Sequence, residues 1–119
     1  DVFRDLDLHE LREESIKLSD LFINMVEQTC SDLHLESPLK SSERGSQVSF
    51  SHPSGYAIMQ ALIDRNIVGD FRAPNIIRFG ITPLYINEED IIQTVMVLKN
   101  ILSNRLWDNP AYLNRKKVT

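Results

Sequence analysis

A chain of 119 residues, 42% of them hydrophobic and five of them Phe, is one ordinary domain, large enough to bury roughly two-thirds of the surface it exposes when unfolded. A formal net charge of −4 argues against nucleic acid as the main partner, because phosphate binding runs on surplus Lys and Arg. The single cysteine, Cys30, excludes an internal disulfide and a Cys/His metal cluster, so a reduced, cytoplasmic setting is the default; apolar runs of only a few residues give no membrane span to expect. Asp1-Val2-Phe3-Arg4-Asp5 reads as the inside of something longer, so a site found here is expected to be half a site.

The first helix is expected over about 7–29. Asp7 is placed to cap it, Glu10 completes a capping box, and Leu6 and Leu11 form a hydrophobic staple. Leu8, Leu11, Ile16, Leu18, Leu21, Phe22, Met25 and Val26 recur on one broad face, and Glu13 and Lys17 make an i,i+4 pair. This length fits an element that runs in from a domain junction, or a long core helix. Asp32–Leu39 alternates as a short strand, with Leu33 and Leu35 on one face and His34 and Glu36 on the other, ended by Pro38. Lys40–Ser46 is a loop. Gln47–Ser51 is a second strand, with Val48 and Phe50 inward.

Pro53 opens a second helix to about Arg65, with Ser51 or His52 as cap and Ala57, Ile58, Ala61 and Leu62 as the buried stripe. Asn66 is a plausible left-handed stop. Two β-like runs follow, Val68–Ala73 and Ile76–Thr82, with Pro74-Asn75 as the turn between them. Strand alternation sends Ile77, Phe79 and Ile81 one way and Ile76, Arg78, Gly80 and Thr82 the other. Asn87 caps a third helix whose first turn carries Glu88, Glu89 and Asp90, with Ile91, Val95, Leu98 and Leu102 inward. In the tail, 104–119, Trp107, Pro110 and Tyr112 supply surface for docking, and Arg115-Lys116-Lys117 reads as a solvated end.

The parities sum to an α+β fold. Leu33, Leu35, Val48, Phe50, Phe71, Ile77, Phe79 and Ile81 make one apolar face of a mainly antiparallel, three- to four-stranded sheet, which about three helices cover. His34, Glu36, Gln47, Ser49, Asp70, Arg72, Arg78 and Thr82 collect on the opposite, open face. The expected architecture is therefore a two-layer single domain, 1–119, whose polar face awaits a cover.

No GxSxG, P-loop, HExxH or CxxC is present, and no catalytic, cofactor-binding or metal-binding residue is expected in this chain. His9 reads as solvated, His34 lacks a second ligand at metal spacing, His52 is a helix-start residue rather than a base, and Cys30 is a small buried hydrophobe. Arg72 has Asp70 two positions away on its own strand face, which favours a structural ion pair over a second ligand-binding role. Arg78 is different. It leaves the apolar layer beside Gly80, whose missing side chain opens room above the strand. From the residues alone it is either half of a salt bridge across a domain interface or the receiver of a planar anion.

Three segments in order, RGSQVSFSHPSGYAIMQALIDR, GDFRAPNIIRFGITPLY and the closing WDNPAYLNRKKVT, resemble the C-terminal part of the kynureninase family. The resemblance covers nearly the whole chain. Asn66 departs from it where many relatives carry glycine, and Ser54 where an acidic residue is common. The resemblance implies the small domain of an aspartate-aminotransferase-like, fold-type-I enzyme that uses pyridoxal phosphate and hydrolyses L-kynurenine, or its 3-hydroxy form, to the anthranilate and L-alanine. It implies that Arg78, the arginine of the RFG segment, pairs with the substrate α-carboxylate, and that the family works as a homodimer. It also implies that the Schiff-base lysine, the aspartate on the pyridine nitrogen and the phosphate cradle lie in a larger domain before this one. Lys17, Lys40, Lys99, Lys116 and Lys117 do not resemble the family's lysine segment, so this part alone is expected to be inactive. The alternatives are the small domain of a cysteine desulfurase-like lyase and a free-standing protein-interaction domain.

Overall fold

The computed structural model describes residues 8–38, 47–81, 83 and 86–113. Helix α1, Leu8–Thr29, buries Ser15, Leu18, Ser19, Phe22, Ile23 and Val26. The expected stripe is corrected at two positions. Leu8 is 81% exposed, and Ile23 lies in the core in its place. The buried row steps through 15, 18, 19, 22, 23 and 26 at helical spacing, but two of its members are serines, which a purely hydrophobic pattern passes over. Ser15 donates from its hydroxyl to the Ile81 carbonyl at 3.4 Å, and Ser19 to Ile16 within the helix, so both polar groups are satisfied. The Asp7 cap and the Leu6 staple lie outside the described residues.

Strand β1 is His34–Leu35, much shorter than the alternation over Asp32–Leu39 predicts. The backbone N–H of Cys30 bonds to Val26 O, and that of Leu33 to Cys30 O, so residues before His34 are spent unwinding the helix. Past Leu35 the N–H groups of Glu36 and Ser37 both reach Ser49 O, which ends the regular ladder. Leu39 and the loop Lys40–Ser46 fall outside the described residues. β2 is Gln47–Ser51, as the alternation predicts, with Val48 and Phe50 fully buried.

Helix α2, Gly55–Asp64, starts two residues after Pro53. Neither predicted cap, Ser51 nor His52, is the N-cap: that position is Ser54, whose side chain makes no capping bond, and His52 Nδ1 accepts from the Ser54 N–H at 2.9 Å in the turn before the helix. Asn66 stops the chain in the left-handed region, at φ 66°. β3, Asp70–Arg72, and β4, Ile76–Gly80, are trimmed relative to the predicted runs; Val68 is 90% exposed and Thr82 is outside the described residues. Helix α3, Glu88–Ser103, carries the predicted cap as a complete box. Asp90 N donates to Asn87 Oδ1 and Asn87 N to Asp90 Oδ2, both at 2.9 Å. Ile101 fills the fourth inward position predicted for Leu102, which is only half-buried.

The short α4, Pro110–Leu113, docks on α2: the Tyr112 hydroxyl donates to Asp64 Oδ2 at 2.7 Å and accepts from Arg65 Nη1 at 3.4 Å. Trp107 stands edge-on to His52 and carries Arg105 4.7 Å above its ring. The tail aromatics therefore pack on this domain's own body. Arg115-Lys116-Lys117 is outside the described residues.

The four strands form one sheet in the order β1-β2-β4-β3, each neighbouring pair antiparallel. Phe22 from α1, Phe50 from β2 and Phe79 from β4 meet edge-to-face at its covered side. This is the predicted two-layer α+β arrangement. Gly69 sits at the tightest point of the hairpin edge: a Cβ there would lie 2.7 Å from the Arg78 carbonyl oxygen. Gly69→Ala should force β3 away from β4, at a cost of about 1–3 kcal/mol. A lower urea midpoint is the expected result, and an unchanged one would show that the edge is free to move.

Candidate anion-binding site on the open sheet face

The strand register places Ser49, Arg78 and Asp70 abreast on β2, β4 and β3, because Ser49 pairs with Arg78 and Asp70 pairs with Arg78. All three point away from the helices. Asp70 accepts two hydrogen bonds from the guanidinium, Nε to Oδ1 at 2.6 Å and Nη2 to Oδ2 at 2.7 Å. The Arg78 side chain keeps 27% of its exposure and that of Asp70 52%. The Arg78 hydrogen bond, and then its charge, hold the Asp70 carboxyl below the usual carboxylate range; Arg72 adds a smaller field in the same direction. The same bond raises Arg78 above its ordinary value.

This corrects the expectation for Arg72. Two residues along one strand put side chains about 7 Å apart, whereas a direct cross-strand partner is about 5 Å away, so Asp70 pairs across the ladder. Arg72 is exposed and stands opposite Ile76. Arg78 has a carboxylate partner within its own sheet, Asp70, which neither of its two sequence readings named. That partner was readable only from the register of the hairpin.

Gly80 behaves as its position predicts: a Cβ built there would meet nothing within 4 Å. Above it lies a shallow depression of about 380 Å³ lined by Gln47, Val68, Gly69, Asp70, Arg78, Gly80 and Ile86. A guanidinium at the wall of an open, partly apolar hollow is suited to a small planar anion. Thr82, the other predicted member of this face, is outside the described residues.

The other titratable candidates sit elsewhere. Cys30 is buried, and burial pushes its thiol up. Burial lowers His52, whose Nδ1 is committed to the α2 start. His9 pairs with Glu13 at 2.9 Å on the outside of α1, and His34 lies 3.9 Å from Glu36 at the exposed sheet edge. Among the described residues no group of His, Cys, Asp and Glu could hold a metal ion, and no helix is long and apolar enough to cross a membrane. The lysines among them are Lys17 and Lys99, both on exposed helix faces and neither lining the depression. Among the described residues there is therefore no lysine placed to hold a cofactor as a Schiff base at this hollow.

A single antiparallel sheet with its helices on one side defines a two-layer α+β domain. A solved NifS-like protein matches it with a TM-score of 0.71 over 82% of this chain and 29% of that one, at 20% identity, which is a likeness of fold. The family model described as the kynureninase C-terminal domain matches residues 11–98. The kynureninase of Pseudomonas fluorescens is 46% identical over all of this chain, and that of Burkholderia mallei strain SAVP1 45% identical. The chain belongs to the kynureninase family, as its C-terminal domain. It spans 29% of the length of these curated relatives.

Proposed function

We propose that this chain is the part of a kynureninase that receives the α-carboxylate of the amino-acid substrate, with Arg78 as the receiving group. The observation that carries the reading is the placement of Arg78: a guanidinium on a rigid central strand, at the wall of an open hollow, beside a glycine that leaves the approach clear. A bidentate guanidinium–carboxylate contact fixes two atoms of the substrate at once and so sets which bond at Cα and Cβ faces the reacting group. On this reading the intact enzyme hydrolyses L-kynurenine or its 3-hydroxy form to the anthranilate and L-alanine, and is a cytoplasmic homodimer. Pyridoxal phosphate, held by residues outside this chain, supplies an electron sink. The chain's own share is recognition: Arg78, at the wall of the hollow, binds and orients the carboxylate.

The fold is shared with NifS-like proteins, so the substrate decides between readings. The intact protein is expected to release fluorescent anthranilate from L-kynurenine and no sulfide from L-cysteine. Sulfide release without anthranilate would assign it to a desulfurase-like lyase, and neither product would favour an interaction domain.

A further inference from the structure

A guanidinium has five N–H donors arranged along two edges that can each chelate a carboxylate, the side edge of Nε with one terminal nitrogen and the end edge of the two terminal nitrogens. Asp70 occupies the side edge of Arg78, through Nε and Nη2. Among the described residues nothing takes Nη1 or the second hydrogen of Nη2. The end edge is therefore complete and available, while the side edge is fastened to a backbone position fixed by the antiparallel register.

We propose that Asp70 is a positioning residue, whose carboxylate locks the Arg78 guanidinium by its side edge and thereby presents the end edge to the carboxylate of the substrate. The inference rests on the reading of Arg78 as the carboxylate receptor. An unrestrained arginine carries about 2 kcal/mol of side-chain rotamer freedom that binding must remove, and the clamp removes it in advance. Two carboxylates on one guanidinium leave an excess negative charge. Arg72, on the same sheet face and already acting on Asp70 through its field, offsets it. Arg72 thereby acts by its charge at a distance.

The competing possibility is that Asp70 imitates the substrate carboxylate and must be displaced, and the two differ in sign. In the intact enzyme, Asp70→Asn and Asp70→Ala are compared with the unsubstituted protein for kcat and KM with L-kynurenine, and for Kd of L-alanine by calorimetry. A clamp predicts that KM and the alanine Kd rise together by about tenfold or more, with a smaller fall in kcat. Asp70→Glu should recover part of the loss. Unchanged constants, or tighter alanine binding, would overturn the proposal. Should Asp70→Ala fail to fold, Asp70→Asn, nearly identical in shape, carries the comparison. Arg78→Ala is run alongside: if it leaves the alanine Kd unchanged, the carboxylate-receptor reading itself fails, whereas a loss there with neutral Asp70 variants refutes only the clamp.

Discussion

In the intact enzyme, Arg78→Ala is expected to lower kcat/KM for L-kynurenine by about a hundredfold or more while the cofactor's absorbance persists. The size follows from what is lost. A bidentate charge-assisted contact supplies both attraction and orientation, and no neighbouring side chain of the described residues replaces it, since Arg72 stands opposite Ile76 and points to solvent. Folding should survive, because the stranded Asp70 is half exposed and water can solvate its carboxylate. Arg78→Lys should restore only a fraction of the activity, as an ammonium cannot engage Asp70 and a second carboxylate through two planar edges. Near-normal turnover by Arg78→Ala would refute the substrate role.

Phe22→Ala should produce the largest loss of stability, about 3–5 kcal/mol. Phe22 is 1% exposed, and its ring meets those of Phe50 at 5.8 Å and Phe79 at 5.0 Å, so one side chain from α1 ties the helix layer to both central strands. A domain of this size has a total stability of about 5–15 kcal/mol, so the variant should be close to unfolding. Leu8→Ala on the same helix is the control. Leu8 is 81% exposed, and its replacement should stay within about 0.5 kcal/mol. Comparable urea midpoints for the two variants would mean that α1 does not pack as described. The consequence reaches the site, because Phe79 adjoins Arg78 on β4 and anchors the strand from beneath.

Much of this layout is legible in the residues because strand parity is a local rule. Val48 and Phe50 against Gln47 and Ser49, or Ile77 and Phe79 against Arg78 and Gly80, declare two faces wherever the strands end up. Capping is equally local, as the Asn87 and Asp90 box shows. The misses fall where burial depends on what lies opposite. Leu8 and Ile23 have the same chemistry and the same helix, and only the position of the sheet under α1 leaves one exposed and buries the other. Ser15 and Ser19 are buried by close approach of the layers, which no hydrophobic pattern announces.

The same division runs through Arg78. The sequence alone determined that this arginine leaves the core on a rigid strand beside a glycine, and its resemblance to a family supplied the carboxylate it would hold. What it would pair with at rest was decided by the register of the hairpin. A two-residue Pro74-Asn75 turn would set Ala73 opposite Ile76 and Asp70 opposite Phe79, which the opposite faces of Asp70 and Phe79 exclude; parity still leaves slips of two residues open. The observed ladder instead joins Arg72 to Ile76 across three residues, Ala73, Pro74 and Asn75, and so brings Asp70 opposite Arg78. Parity is set by each strand for itself, but register is set by the connection and by the packing of Phe71 and Ile77 on the layer below, which is why the face was readable and the partner was not.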